Sequence, residues 1–183
     1  PPLPFLDATD LGASFNAGDY DDEGERRAVG YGFDWLLRKG PVDLLGEWAA
    51  IDLERKSGDG PAALDLNGNG ILGDVPGESD LPRGLHGLYA QGNLHFFPES
   101  WRGRRPFTDE SEFTLAVRFD SADLNDQVVG ATPRDDREGW TVGLNFRPVK
   151  KTAIKVSYQW IKSAFDGPDD VGNIFAFGIS TYF

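Results

Sequence analysis

The stretch most suggestive of a chemical site has oxygen-bearing side chains at alternate positions. Residues 65–74 read DLNGNGILGD. This spacing fits the first half of a calcium loop, where oxygen ligands wrap a hard cation and a glycine allows the sharp turn. Pro76 stands where the last glutamate ligand is usual, so a polar turn without metal is the alternative. The candidate calcium ligands are Asp65, Asn67, Asn69, the carbonyl of Ile71, and Asp74.

Motifs for catalysis are missing from the sequence. It contains no HExxH or GxSxG pattern, no phosphate-binding loop and no dinucleotide fingerprint. The two histidines, His86 and His95, are nine residues apart, which would place them on opposite faces of a strand. No nucleophile is assigned to either by the sequence. We therefore expect no enzyme and interpret His95 as a hydrated residue; an enzyme is kept only as a third possibility.

The elements that must position such residues are strands, because apolar and polar residues alternate along most of the chain. In residues 140–147, for example, Trp, Val, Leu and Phe alternate with Thr, Gly, Asn and Arg. Successive strand side chains point to opposite faces, whereas this period and the 23 glycines oppose helices. The pattern predicts an all-β, antiparallel chain with eight strands, at 11–18, 29–37, 42–49, 88–96, 113–120, 140–147, 154–160 and 175–183.

The polar faces of these strands carry Gly, Ser, Ala, Thr and Asn between isolated charges, and aromatic residues cluster at the strand ends. Small polar residues suit the inside of a membrane barrel, and aromatic girdles are typical of its two rims. A soluble antiparallel sandwich is the alternative. The residues predicted to line a pore are Asp34, Glu47, His95, Arg118, Asp120 and Lys155.

The connections differ in charge according to their place in the strand order. Those after the first, third, fifth and seventh strands hold nineteen acids and seven bases, which accounts for the whole net charge of −12. In an antiparallel barrel these connections share one side, where long extracellular loops are expected. Residues 54–83 are predicted to form one such loop. Both chain ends then lie on the opposite, periplasmic side.

Composition excludes several further classes of protein. A net charge of −12 argues against nucleic-acid binding, which needs clustered Lys and Arg. With no cysteine, the chain has no disulfide framework. No apolar run approaches the roughly 20 residues that a membrane helix needs, whereas a membrane strand needs only about 10. With no methionine, the chain is expected to be a processed product or a segment of a longer one.

The last strand, GNIFAFGISTYF, resembles the C-terminal signature of Gram-negative outer-membrane β-barrels. Residues 139–160 are similar to the closing hairpin of porins related to the phosphate-selective porins. This resemblance extends over residues 28–183. It implies that the barrel assembly machinery recognises the final strand through alternate apolar residues and a terminal aromatic. The matching residues are Phe175, Phe177, Ile179 and Phe183, whereas Thr181 stands where a larger residue is commoner.

The resemblance implies an outer-membrane porin, in contact with lipid and lipopolysaccharide, that allows passive diffusion of small hydrophilic solutes or ions. Such porins commonly have about 16 strands and often form homotrimers. The chain is therefore expected to be one barrel domain over residues 1–183, or the C-terminal half of a larger barrel. A closed eight-stranded barrel is the alternative architecture. A structural barrel without an open pore, acting as an anchor or partner-binding scaffold, is the alternative function.

Overall fold

Eight antiparallel β-strands form a single sheet in the computed structural model of the chain. The structure describes residues 5–20, 26–54, 84–126, 136–163 and 170–181. All eight predicted strands are present, each somewhat longer than its alternating pattern had indicated. The strands are β1 Ala8–Asp19, β2 Arg27–Lys39, β3 Val42–Leu53, β4 Gly84–Phe96, β5 Glu112–Asp126, β6 Asp136–Val149, β7 Thr152–Ser163 and β8 Asp170–Thr181.

The strands pair in the order in which they follow one another, from β1 at one edge to β8 at the other. The connections therefore alternate between the two ends of the sheet. The turns 40–41 and 150–151 and the connection 97–111 lie at one end, which we call the short-turn end. The start of β1 and the end of β8 lie at the short-turn end too. The other four connections start and finish at the opposite end, the long-loop end, and together with the adjoining strand ends they carry the net charge of −12.

The sheet is open. Among the described strands, β1 pairs only with β2 and β8 only with β7. The alternative of a closed eight-stranded barrel is therefore wrong, because closure requires hydrogen bonds between the two edge strands.

The two faces of the sheet differ sharply. The cross-strand register places the apolar member of each alternating pair on one side, which we call the apolar face, and its neighbours on the other, the polar face. Trp35, Phe119, Trp140 and Trp160, for example, belong to one row across the apolar face. Directly beside that row, on the polar face, run Asp34, Glu47, Tyr89 and Asp120.

No hydrophobic core covers the apolar face. Among the described residues, the buried hydrophobic side chains are only Ala50 and Ala153, and no large side chain is fully buried. Most of the exposed large apolar side chains lie on the apolar face, where Leu44, Leu144 and Phe177 are 50%, 43% and 63% exposed. A soluble sandwich would pack such a face against a second sheet, and the described residues provide none.

On β5 and β6 the apolar face has aromatic residues near both ends of the strands and aliphatic residues between them. Near the long-loop end the rings contact across strands, as in the pairs Phe119–Trp140 and Tyr31–Trp48, with centroids 5.1 and 5.5 Å apart. At the short-turn end Phe113 stacks on Phe146, with centroids 4.7 Å apart. Six residues, or about 20 Å, separate the two bands along β5 and β6. The aliphatic band between them includes Leu37, Leu44, Leu115, Val117, Val142, Leu144 and Val156.

The connection 97–111 folds back onto this short-turn aromatic band. It contains a single 3-10 turn, Glu99–Trp101, and Phe107 stacks on Trp101 with a centroid distance of 5.2 Å. Phe107 also meets Phe146 edge-on at 5.8 Å. No helix in the described part of the chain is long and apolar enough to cross a membrane.

Candidate functional site: the polar face of the sheet

All six residues predicted to line a pore lie on the polar face. Asp34 is the cross-strand partner of Glu47, and Asp120 lies in the same row, separated from Glu47 by Tyr89. Arg118 lies one row nearer the short-turn end. His95 and Lys155 share a row two further rows in that direction. The structure thus brings the six together as one charged surface.

Two acidic side chains, Asp34 and Glu47, are exposed on neighbouring strands. Neither forms an ion pair or a hydrogen bond with another described side chain. The carboxylate of Asp34 lies over Gly12 of β1, where an added Cβ would come closer than 3.0 Å to all three carboxylate atoms. Glycine at this position therefore makes the space that Asp34 occupies. Two exposed, unpaired carboxylates on adjacent strands need water or mobile cations to offset their repulsion.

Arg118 is held by two neighbours on the polar face. Its Nε donates a hydrogen bond to Oδ1 of Asp120, 2.7 Å away on the same strand. Its guanidinium lies over the ring of Tyr89, 4.0 Å from the centroid, on the neighbouring strand. The guanidinium charge is therefore locally compensated and its position is fixed from two sides.

A second polar cluster ties the strands together near the short-turn end. Arg38 donates two hydrogen bonds to the carboxylate of Asp43, at 2.7 and 3.1 Å. Nε2 of His95 lies 3.0 Å from Oδ2 of the same carboxylate. Nδ1 of His95 lies 3.0 Å from Oγ1 of Thr114 and 3.3 Å from Oε1 of Glu112. This cluster, from Arg38 to Glu112, links β2, β3, β4 and β5.

Asp43, His95 and Thr114 place a carboxylate, an imidazole and a hydroxyl next to one another in the order found in nucleophilic triads. Here the hydroxyl belongs to Thr114, which is only 8% exposed, and Asp43 is 5% exposed. A substrate has no open approach to that hydroxyl. The arrangement is suited to fixing strand positions, because its buried polar groups satisfy one another. His95 belongs to this cluster, and both of its ring nitrogens lie within hydrogen-bond distance of a partner.

Lys155 is the remaining cation of the predicted set. It lies opposite Asn145 on one side and Gly178 on the other, and it is exposed. No carboxylate among the described residues pairs with its ammonium group. Lys155 therefore presents its charge to the medium that covers the polar face.

Sequence reasoning missed several members of the polar face, chiefly Asp43, Glu112 and Tyr89. One signal was available for Asp43. A two-residue turn at 40–41 makes Arg38 and Asp43 cross-strand partners, and Gly40 supports it with a φ of +53°. Glu112 and Tyr89 acquire their contacts only through the pairing of β4 with β5, which alternation does not specify.

The predicted calcium ligands, Asp65, Asn67, Asn69, Ile71 and Asp74, lie outside the described residues. Within the described ranges, no group of three or more His, Asp or Glu side chains could hold a metal ion. Of the proposed assembly signal, Phe175, Phe177 and Ile179 lie side by side on the apolar face of β8 and are 68%, 63% and 64% exposed. Phe183 lies outside the described residues.

The chain matched no family model, no curated protein and no solved structure. Its function is therefore argued from the sheet itself. An apolar face without a core, a charged face on its reverse and two unpaired edges are the features that any function must use.

Proposed function

We propose that this chain forms the wall of an outer-membrane β-barrel that lets small hydrophilic solutes or ions diffuse passively. In this proposal lipid covers the apolar face and water covers the polar face. The protein catalyses no reaction and solutes follow their concentration gradients. Pore width and the charges of the polar face then set the selectivity.

The observation that carries the proposal is the uncovered apolar face. Exposed apolar patches on soluble monomers seldom exceed a few hundred Å², whereas here large apolar side chains are exposed on strands from β1 to β8. Strands of 12 to 15 residues also exceed the about 9–11 residues that a tilted membrane strand needs. Lipid is the medium that such a face requires along its whole width.

The order of residues along the strands supports the same conclusion. On β5 and β6 an aliphatic segment lies between aromatic residues, the arrangement expected where strands cross hydrocarbon and leave it through two interfaces. A protein partner gives no reason for this order. The net charge of −12, gathered at the long-loop end, suits the outer surface, where divalent cations of the lipopolysaccharide layer offset it.

The open edges support a larger barrel. The backbone N–H and C=O groups on the outer sides of β1 and β8 have no strand partner, and such groups are costly in hydrocarbon. We propose that further strands complete the wall, giving about 16 in all, with the short-turn end of the sheet and both chain ends on the periplasmic side. Homotrimer formation, recognition of β8 by the assembly machinery and calcium in the 54–83 loop belong to this proposal.

Planar-bilayer recording on the full-length protein tests the pore. We expect stepwise increases in conductance, and a reversal potential under a salt gradient that depends on the polar face. Glu47→Lys, which reverses an exposed charge on that face, should shift the reversal potential towards anions. Trp48→Phe, one residue along on the apolar face, serves as the matched control and should leave it unchanged. Protein that inserts without conductance would instead support an anchor or scaffold.

A further inference from the structure

The polar face contains an open depression of about 400 Å³ near the long-loop end. Its floor consists of small residues from four consecutive strands, namely Ala49, Gly87, Ala122 and Gly139. They occupy two adjoining rows of the sheet, so their missing side chains leave one continuous hollow. The charged and larger polar residues around the floor are Glu47, Tyr89, Arg118, Asp120, Arg137, Glu138 and Gln159.

Tight packing does not require glycine at position 87 of this floor. A Cβ added at Gly87 would find its nearest neighbour, the carbonyl oxygen of Ser121, at 3.4 Å, which is an ordinary contact. No left-handed backbone conformation requires glycine at Gly87 or Gly139. A larger side chain would fit at Gly87 and would fill the hollow, whereas a Cβ at Gly139 would come within 3.3 Å of the carbonyl oxygen of Trp160.

The polar side chains around the hollow are planar, and they carry charges of both signs. The carboxylates are those of Glu47, Asp120 and Glu138, and the guanidinium groups are those of Arg118, which pairs with Asp120, and Arg137. The guanidinium of Arg118, fixed between Asp120 and the ring of Tyr89, forms one wall. The amide of Gln159 extends over the floor, with Nε2 3.6 Å from the position of a Cβ at Gly139.

We propose that this depression binds a neutral polyhydroxylated solute of mono- or disaccharide size. Carboxylates, amides and guanidinium groups present paired acceptors or donors in one plane, which match two neighbouring hydroxyls. An anion would meet the carboxylates of this rim and a cation would meet its guanidinium groups, whereas a hydroxylated ring uses donors and acceptors alike. The volume lies within the range of about 300–1,000 Å³ found for small-molecule sites.

The assignment rests on the proposed function only in that water and solutes must reach the polar face. A binding measurement separates the two, since it needs no pore. Saturation-transfer NMR on the full-length protein in detergent micelles, with sucrose as the probe, should detect binding in the millimolar range. Inorganic phosphate at the same concentration should neither displace sucrose nor bind in its place.

Two leucine substitutions provide the comparison. Gly87→Leu fills the hollow and should weaken sucrose binding at least tenfold. Gly143→Leu lies on the same face outside the hollow, where a Cβ meets its nearest neighbour at 3.5 Å, and should leave binding unchanged. If Gly87→Leu fails to fold, Gln159→Ala, which shortens the rim, should weaken binding instead. Absence of sucrose binding to the folded wild type, equal effects of Gly87→Leu and Gly143→Leu, or displacement by phosphate would overturn the assignment, whatever the conductance measurements show.

Discussion

Substitutions at Leu144 and Asn145 test most directly whether lipid covers the apolar face and water covers the polar face. The two residues are neighbours on β6, and their side chains lie on opposite faces of the sheet. Leu144 lies in the aliphatic band, close to midway between Trp140 and Phe146, and is 43% exposed. Asn145 lies on the polar face, with Lys155 as its partner on β7. Replacing each by arginine introduces the same side chain one residue apart.

The cost of Leu144→Arg depends on what covers the apolar face. Near the middle of hydrocarbon, an arginine costs about 2–4 kcal/mol, or roughly 30- to 700-fold in the folding equilibrium. If water covered the face, a substitution at this half-exposed position would change stability by about 0.5 kcal/mol or less. Asn145→Arg sets two cations opposite each other across β6 and β7, which costs up to about 1 kcal/mol in either case.

Urea titrations of folding into phosphatidylcholine vesicles, followed by tryptophan fluorescence, measure both costs. We expect Leu144→Arg to lose at least about 1 kcal/mol more than Asn145→Arg. Refolding of the wild-type protein into dodecylmaltoside micelles serves as the control for differences in refolding yield. Equal losses at the two positions, or a smaller loss at Leu144, would refute lipid contact on the apolar face.

Three further substitutions probe other parts of the chain. Gly46→Ala should cost about 1–3 kcal/mol in the same titrations, since its Cβ would overlap the ring of Trp35, whereas Gly143→Ala has ordinary clearance and should be tolerated. Asp43→Asn should cost about 1–2 kcal/mol by removing the charge that both the arginine and the histidine of its cluster contact; a stability equal to wild type would contradict that role. Calcium should protect the 54–83 loop from proteolysis with an affinity of about 10⁻⁴–10⁻³ M, and Asp65→Ala should abolish the protection; identical digestion with calcium and with chelator would leave only a polar turn.

The strands and their faces could be predicted from the sequence, because alternation reports them locally. Residues 140–147 alternate without interruption, and β6 contains them with the expected side chains on each face. The six residues assigned to the polar face share it for the same reason. Each assignment depends only on whether a position is odd or even within its own strand, so no knowledge of neighbouring strands is needed.

The contacts within the polar face could not be predicted, since they depend on how strands are aligned with one another. The pairing of Arg38 with Asp43 follows from a two-residue turn, which fixes the register of β2 against β3. The approach of His95 to Asp43 depends instead on β3 and β4, which are joined by a connection too long to fix any register. The hollow above Gly87 needs the register of four strands at once, so small residues at separate positions gave no local signal.

The unpaired edges constrain the proposed pore more strongly than the faces do. Lipid on the apolar face exposes the outer backbone groups of β1 and β8 to hydrocarbon, where each unsatisfied group costs several kcal/mol. An eight-stranded closure would satisfy them but fill the interior with side chains, and the edges do not meet. Since β1 and β8 run in opposite directions, an even number of added antiparallel strands satisfies both edges and leaves the polar face around water. Lipid contact and an open passage therefore both require a wall wider than these eight strands.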